Sequence, residues 1–414
     1  MVQPAAIPAE PVNAHQEVAR IAALRRFHDA VAWFRTHERE FAERQIELTR
    51  IPAPPFGEAA RSEWLRDRFL ALDLGEVRID AVGNVLGIRP GGDSEAPLLA
   101  VTAHLDTVFP AGTPLEVRRE GVRLLGPGIS DNGAGVSALL AVLEAMNAAA
   151  LKTRAPVLFV GNVGEEGEGD LRGMRHLFQS SWAERIGRTL VLDGAAIDTI
   201  SAEAIGSRRF EVVIHGPGGH SWSDFGAANP ISALARGLAR FVGTSVPQEP
   251  KTTFNVGVIQ GGTSVNSIPE SAAARIDLRS ASAEQLDRLE TLLRDAIEAG
   301  VSAEQPQGPP RAARALSVEF RPIGSRPAAE LAPDAFILQV IRAVDAQLGN
   351  NARLQRASTD ANIPLSMGRE AIAIGGGGTG GGAHTIHEWY DPTGRELGLR
   401  RILLTLLVLA GLDE

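Results

Sequence analysis

The stretch Pro156-Val-Leu-Phe-Val-Gly-Asn-Val163 is an almost unbroken apolar run, and it leads into Gly164-Glu165-Glu166-Gly167. A short apolar run that ends in glycine is typical of a strand buried on both faces of a sheet. Two adjacent carboxylates at the mouth of such a strand can diverge, so that one holds a metal ion while the other moves a proton. Paired glutamates are also common on solvated surfaces, so the pair alone leaves both interpretations open.

Similar apolar runs alternate with helical patterns along the chain. Residues 84–88, 98–103 and 189–192 form such runs, and the clearest helical pattern covers residues 132–150. Near-continuous apolar strands separated by helices predict an α/β fold with a mostly parallel sheet and helices on both faces.

The pattern changes near residue 206, where alternating strands and two helical segments predict a smaller α+β unit. We therefore predict a discontinuous larger domain made of residues 1–206 and 323–414, with residues 207–322 inserted. Residues 1–15 are rich in proline and alanine, and we expect a mobile leader there.

Composition restricts the classes of function. The chain has 414 residues, a formal net charge of -9 and no cysteine. The acidic balance without a basic run argues against a nucleic acid or membrane partner. Without cysteine, a metal ion must be held by histidine, aspartate or glutamate. No signal peptide or membrane-spanning pattern is visible, and we expect a cytoplasmic protein.

Candidate site residues share a position at the carboxyl ends of predicted strands. In open α/β sheets ligands bind at that edge, so far-separated segments converge there. The residues concerned are His104, Glu165, Glu166, Asp193 and, after the glycine run of residues 375–382, His384.

Asp131 stands just before the predicted helix of residues 132–150. It is either a simple N-cap or, with His104 nearby, a carboxylate that bridges two metal ions. Asp106 lies two residues after His104 in an extended segment and could orient the imidazole through its second ring nitrogen.

The glycine run lacks the ending of a phosphate-binding loop, so a nucleotide site is not predicted. It is either a mobile loop or a place of close backbone approach. His384 and His387 follow it at a spacing that permits either one to be a metal ligand.

Taken in order, these motifs resemble the co-catalytic zinc metallopeptidase family that includes peptidase T, glutamate carboxypeptidase, acetylornithine deacetylase and succinyl-diaminopimelate desuccinylase. The resemblance extends from about residue 41 to residue 412. It implies a zinc-exopeptidase-like catalytic domain with an inserted lid and dimerisation domain, and hence a homodimer.

The resemblance also implies roles for individual residues. Two divalent metal ions would be bridged by Asp131, with Glu165 as the general base and Asp106 orienting His104. The remaining metal ligands would be His104 and Asp193 for one ion, and Glu166 and His384 for the other. Zinc is the expected metal, with cobalt or manganese as alternatives.

Five further residues resemble substrate-binding positions of the family. His220 would cross to the partner subunit and stabilise the oxyanion, while Asn266, Arg279, Ser358 and Thr359 would hold the substrate. For Arg279, an ordinary surface ion pair is an equally good interpretation.

These features predict a dinuclear metallohydrolase that cleaves an amide bond in small peptides, of aminopeptidase, dipeptidase or tripeptidase type. The alternative within the same chemistry is an N-acyl amino-acid deacylase. A different class, a catalytically silent metal-binding regulatory protein, is disfavoured because a binder needs no general base beside its ligands.

Overall fold

The computed structural model describes residues 13–304 and 315–413. Within these residues, no helix combines the length and the apolar character that a membrane span requires. The helices are α1 (Ala14–Ala22), α2 (Arg25–Thr36), α3 (Glu38–Thr49), α4 (Ala59–Ala71), α5 (Gly133–Ala148), α6 (Arg172–Gln179), α7 (Trp182–Arg185), α8 (Pro230–Val242), α9 (Ala283–Ala303), α10 (Phe336–Leu348), α11 (Asn362–Ser366) and α12 (Arg395–Ala410).

The strands of the described residues form several sheets. They are β1 (Gly75–Ile79), β2 (Val85–Arg89), β3 (Leu98–His104), β4 (Arg118–Glu120), β5 (Arg123–Leu125), β6 (Lys152–Thr153), β7 (Val157–Asn162), β8 (Ile186–Leu192), β9 (Thr199–Ala204), β10 (Gly206–His215), β11 (Gly219–His220), β12 (Thr252–Gly261), β13 (Ser267–Ile268), β14 (Ser271–Ser280), β15 (Ser317–Arg326), β16 (Ala329–Glu330), β17 (Arg353–Ala357), β18 (Glu370–Ile374), β19 (Thr379–Gly381), β20 (Trp389–Asp391) and β21 (Leu412–Asp413).

The chain divides into two compact units. The larger unit joins the described residues up to Ala204 to those from Glu330 onward, and the smaller unit lies between Ile205 and Ala329. The predicted limits of 207–322 are therefore too narrow. Pro322 reads as the end of a strand, but it lies inside β15, opposite Phe210, where the register shifts. β15 is an edge strand, and a sheet tolerates proline at an edge or a bulge.

A nine-stranded sheet forms the centre of the larger unit, in the order β1-β2-β7-β3-β8-β18-β9-β16, with β17 also paired to β9. Strands β7, β3, β8 and β18 run parallel to their neighbours within this set. Every residue of β3 and β7 is buried. This agrees with the near-continuous apolar sequence of both strands and confirms the predicted mostly parallel sheet.

Helices cover both faces of this sheet, as predicted. On one face, Leu98 and Ala100 of β3 join a cluster with Leu171, Met174 and Phe178 around α6. Helices α5 and α12 contact β3 directly, and α10 packs on α12 and β18. The parallel centre is thus buried between helical layers, which leaves its strand ends as the accessible edge.

The amino-terminal prediction is wrong at its boundary. Residues 1–12 of the expected leader lie outside the described residues, but Asn13 to His15 are part of a capped helix. The Asn13 side chain accepts hydrogen bonds from the main-chain N–H groups of His15 and Gln16, and Ala14 is buried. A short polar residue at the N-cap satisfies donors that would otherwise lack a partner.

The smaller unit is an α+β structure. Its antiparallel sheet has the order β12-β14-β10-β15, and α8 and α9 pack on it around an apolar core. A separate pair of short strands places Gly219 opposite Ile268 and His220 opposite Ser267.

Candidate metal centre

Three neighbouring strands deliver the first site residues to one edge of the central sheet. His104 is the last residue of β3, Glu165 and Glu166 follow β7, and Asp193 follows β8. These strands are adjacent in the order β7-β3-β8. Because parallel strands end at the same edge, the side chains converge as the sequence predicts.

The carboxylates and imidazoles at this edge form overlapping groups with metal-ligand spacing. Within the described residues, one group contains His104, Asp131 and Asp193, and another contains Asp131, Glu166 and His384; in each, ligand atoms lie within 4.8 Å of one another. His104 also forms a group with Glu165 and Glu166. Asp131 is shared by the first two groups.

Asp131 presents a different oxygen to each histidine. Its Oδ1 lies 3.1 Å from His104 Nε2, and its Oδ2 lies 3.2 Å from His384 Nε2. Asp193 Oδ1 is 3.7 Å from His104 Nε2, and Glu166 Oε1 is 3.0 Å from His384 Nε2. The arrangement suits two cations that share one carboxylate, since each oxygen can serve one ion.

The electrostatics of the group are those of a site built for positive charge. Hydrogen bonds with Asp131 and Glu166 raise the pKa of His384 to about 10. Burial alone would lower the pKa of His104, but its contacts with Asp106, Asp131 and Asp193 raise it well above the usual range. Burial opposes ionisation of Asp131, yet both histidines hold its pKa below the ordinary value.

Glu166 differs from its partner His384 because burial dominates and raises the pKa of its carboxyl. Both pKa values are raised, although ion pairing alone would lower that of the glutamate, and the burial of Glu166 explains its upward shift. Metal ions would replace the protons on the histidines, since ligation requires neutral imidazole and ionised carboxylate. The nitrogen and oxygen donors present, without sulfur, fit zinc, manganese or cobalt.

Asp106 is placed differently from the prediction. His104 Nδ1 lies 3.1 Å from the main-chain oxygen of Asp106, whereas the nearest carboxylate oxygen is 3.7 Å away. The Asp106 carboxylate instead accepts hydrogen bonds from the main-chain N–H groups of Glu165, at 3.0 Å, and Glu166, at 2.7 Å. Its main effect is therefore to fix the backbone of the two glutamates.

Asp131 is not the N-cap of α5. The cap is Asn132, whose Oδ1 accepts a hydrogen bond from Gly135 N at 3.0 Å. The Asn132 side chain also bonds to Leu192 O and Gly194 N, on either side of Asp193. Asn132 thus joins the start of α5 to the end of β8, while the Asp131 carboxylate stays available to the site.

Glu388 was given no role from the sequence. Its buried carboxylate accepts hydrogen bonds from the main-chain N–H groups of Gly128, Ser130 and Asp131. Burial raises the pKa of Glu388 to about 7 against the effect of these three donors. Its spacing from His384 is the only sequence signal, because its partners lie far away in the chain.

Of the two late histidines, His384 is the one that joins the group. His387 is exposed and belongs to none of the metal-ligand groups among the described residues. The glycine run before them is a place of close backbone approach rather than a mobile loop. Gly377, at φ +98°, is buried, and a Cβ there would lie 2.6 Å from Arg395 O.

Ser358 and Thr359 lie in the larger unit, after β17. Ser358 is partly buried and Thr359 is buried. The Thr359 hydroxyl accepts a hydrogen bond from Ala361 N at 3.2 Å, so it already contributes to the turn before α11. The next residue, Asp360, is buried and bonds to Asn162 at the end of β7.

The other predicted substrate residues lie in the smaller unit. His220 is exposed, and its Nδ1 accepts hydrogen bonds from Trp222 N and Ser223 N, which leaves the proton on Nε2. Asn266 O accepts a hydrogen bond from Ser221 N and so lies beside His220 in this unit. Arg279 Nε donates to Asp277 Oδ2 at 2.6 Å, so the ion-pair interpretation describes its observed contact.

Residues 100–407 match the model of peptidase family M20/M25/M40. The match covers most of the chain, and the chain belongs to this family. The resemblance inferred from the motifs is thereby confirmed.

Individual relatives are more distant. A probable carboxypeptidase of Neosartorya fischeri is 28% identical over 223 residues, which cover 49% of this chain and 49% of that protein. An acetylornithine deacetylase of Myxococcus xanthus is 26% identical over 333 residues, covering 77% of this chain and 81% of that protein. The chain spans about half the length of the fungal carboxypeptidases that it matches.

The fold is shared with solved structures. A tripeptidase of Staphylococcus aureus is similar with a TM-score of 0.73 at 21% sequence identity, over 90% of this chain and 98% of that one. Such a likeness shows the fold, and the chemistry must be argued from the residues of this chain.

Proposed function

We propose that this chain is a dinuclear metal-dependent hydrolase that cleaves an amide bond in small peptides, of aminopeptidase, dipeptidase or tripeptidase type. One observation carries the proposal: Asp131 offers one carboxylate oxygen toward His104 and the other toward His384. The family membership and the buried glutamate pair beside this carboxylate support it.

Two divalent cations would be held by the groups that share Asp131. His104 and Asp193 would complete one set of ligands, and Glu166 and His384 the other. We propose zinc, with cobalt or manganese as alternatives for the same donors. When bound, such ions bring the pKa of water to about 7 and polarise a carbonyl group.

Glu165 is the proposed general base. It is 5% exposed and follows the same strand end as Glu166. Its carboxylate would take the proton from the attacking water and pass it to the leaving amine. Asp106 supports this function by holding the main-chain N–H of Glu165 at 3.0 Å, because a fixed backbone limits the positions open to the side chain.

For the smaller unit we propose the role of lid and dimerisation domain. In the proposed homodimer, His220 of one chain would contribute its Nε2–H to the substrate oxyanion in the site of the other chain. Its tautomer supports this, because Nδ1 already accepts main-chain hydrogen bonds. Asn266, Arg279, Ser358 and Thr359 are proposed substrate contacts, and Arg279 would exchange Asp277 for a substrate carboxylate.

The second candidate function is hydrolysis of an N-acyl amino acid. It is favoured by the acetylornithine deacetylase of Myxococcus xanthus, whose match covers 77% of this chain. The metal ligands and Glu165 would act in the same way, and only the groups around the scissile amide would differ.

A substrate panel separates these functions. Wild-type protein and Glu165→Ala would be assayed with dipeptides and tripeptides, the same peptides blocked at either end, and N-acetyl and N-succinyl amino acids. We expect the wild type to cleave peptides with a free amino terminus and the variant to lose at least 100-fold in rate. Cleavage of only the N-acyl amino acids selects the alternative.

Two outcomes would contradict both candidates. Undiminished activity of Glu165→Ala would exclude the proposed base. No activity on any panel member after addition of zinc, cobalt or manganese would instead indicate a metal-binding protein without catalysis.

A further inference from the structure

We propose that Asp360 is a positioning residue whose hydrogen bond with Asn162 fixes the Ser358–Thr359 turn against the strand end that carries Glu165 and Glu166. Its consequence for catalysis rests on the proposed function. The hydrogen bond itself, and its effect on the turn and on the strand end, do not depend on the proposed function.

The contact is short and buried. Asn162 Nδ2 donates to Asp360 Oδ2 at 2.6 Å, and the two residues are 0% and 1% exposed. It joins parts of the chain that are 198 positions apart. Breaking it would leave a buried amide donor without a partner, which is more damaging than the loss of an exposed hydrogen bond.

Asn162 is the last residue of β7, three positions before Glu165. Its main-chain oxygen accepts a hydrogen bond from Leu105 N at 2.7 Å, next to His104. The following residue, Val163, donates its N–H to Asn84 Oδ1 at 3.1 Å. Asp106 then holds the N–H groups of Glu165 and Glu166. The segment from Asn162 to Glu166 is therefore held by side chains, and Asp360 is among them.

Asp360, the acceptor of this hydrogen bond, lies in a tight turn. Thr359 N donates to Asn362 Oδ1 at 2.9 Å, and Asn362 N donates to Thr359 O at 3.0 Å. Ala361 N donates to the Thr359 hydroxyl. These bonds make residues 359–362 one closed unit, so a tether on Asp360 places this turn, which includes the proposed substrate contact Thr359 and adjoins Ser358.

The requirement is for an acceptor oxygen, not for a negative charge. Asn162 Nδ2 is the donor, and an amide oxygen at position 360 would accept from it as a carboxyl oxygen does. Asp360→Asn should therefore preserve the tether, whereas Asp360→Ala should remove it. This pair of variants separates positioning from an electrostatic effect of the carboxylate.

Hydrogen–deuterium exchange of the full chain tests the tether without any substrate. In Asp360→Ala and in Asn162→Ala, we expect exchange of residues 163–166 and 358–362 to accelerate about tenfold, with no further change in the double variant. In Asp360→Asn, the exchange rates of both segments should match those of the wild type. Asp345→Ala, which removes a carboxyl that is 5% exposed and paired with Arg401, controls for general destabilisation.

Kinetics on a substrate found in the panel give a second readout. Loss of the tether should raise KM about tenfold, because the turn is proposed to hold the substrate, and should also lower kcat, because the loosened strand end carries the proposed base Glu165. The tether is refuted if Asp360→Asn behaves like Asp360→Ala, if residues 163–166 keep their exchange rate, or if Asp345→Ala produces the same local change. The exchange result stands even if no substrate is found.

Discussion

The buried carboxylate of Glu388 accepts a hydrogen bond from the main-chain N–H of Asp131 at 2.7 Å, across 257 positions of sequence. Two more main-chain donors, at Gly128 and Ser130, bond to the same carboxylate. The loop that presents the shared carboxylate is thus shaped by a residue that does not belong to the metal-ligand groups among the described residues.

Replacing Glu388 by alanine should weaken metal binding. The three N–H groups lose their acceptor, and groups that support metal ligands typically change metal affinity or activity by about 10- to 100-fold. Metal affinity measured by competition with a chelator would show the change. Glu63→Ala removes an exposed glutamate of α4 and is the matched control, expected to bind metal like the wild type. Equal affinity in the two variants would contradict the supporting role of Glu388.

The two late histidines offer a matched pair of variants. His384→Ala should lose at least 100-fold in activity, because it removes the imidazole that lies 3.0 Å from Glu166 and 3.2 Å from Asp131. His387→Ala should stay within about threefold of the wild type, since this exposed side chain lies outside the group. Rates on one substrate under equal metal concentration suffice, and a reversed order of the two variants would overturn the assignment.

Asp360 should make stability depend on pH. Burial raises its pKa to about 7, against about 3.9 for an aspartate in an unfolded chain. The folded protein therefore binds a proton on Asp360 more tightly than the unfolded chain does. The stabilisation of the folded state by this protonated carboxyl is fully present below about pH 4 and is lost as the pH rises through about 7.

The comparison of wild type with Asp360→Asn isolates this contribution. Between pH 5 and pH 8, the wild type should lose up to about 3 kcal/mol of unfolding free energy beyond any loss in the variant. Urea unfolding of chelator-treated protein at both pH values measures it. Parallel losses in the two proteins would show that Asp360 does not carry the proton.

Much of the fold follows from local pattern. The apolar runs of β3, β7 and β8 and the helix α8 were predictable, because strands buried on both faces and amphipathic helices leave clear periodicities. β17 was missed, since most of its residues are exposed and it lacks that pattern. The inserted unit was predicted to end at residue 322 because proline commonly ends a strand. Whether a strand tolerates proline depends on its position in the sheet, which the sequence does not show, and here Pro322 lies inside an edge strand.

The candidate site was predictable in part. The ordered motifs and the strand-end rule bring His104, Asp131 and Glu166 to one place. The supporting contacts were not predictable, because a bond such as that of Glu388 to Asp131 depends on a fold that joins distant segments. The Asp106 carboxylate was assigned to His104 from spacing, whereas its shortest contacts are main-chain N–H groups of another strand end.

The variant Asp131→Asn directly tests whether two metal ions share the Asp131 carboxylate. An amide offers only one oxygen acceptor, so it cannot give an oxygen to each of two cations. We expect the variant to bind one metal ion at most with wild-type affinity and to lose at least 100-fold in activity. Metal analysis after gel filtration measures the stoichiometry, with Glu63→Ala again as the control. Two tightly bound ions in Asp131→Asn would argue against a bridging carboxylate.

We propose that the groups sharing Asp131 form a two-metal hydrolytic centre. Its most direct test is a titration of zinc into chelator-treated wild-type protein, with amide-bond hydrolysis recorded at each addition. We expect activity to reach its plateau at two equivalents of metal per chain. A plateau at one equivalent, or full activity in the metal-free protein, would contradict it.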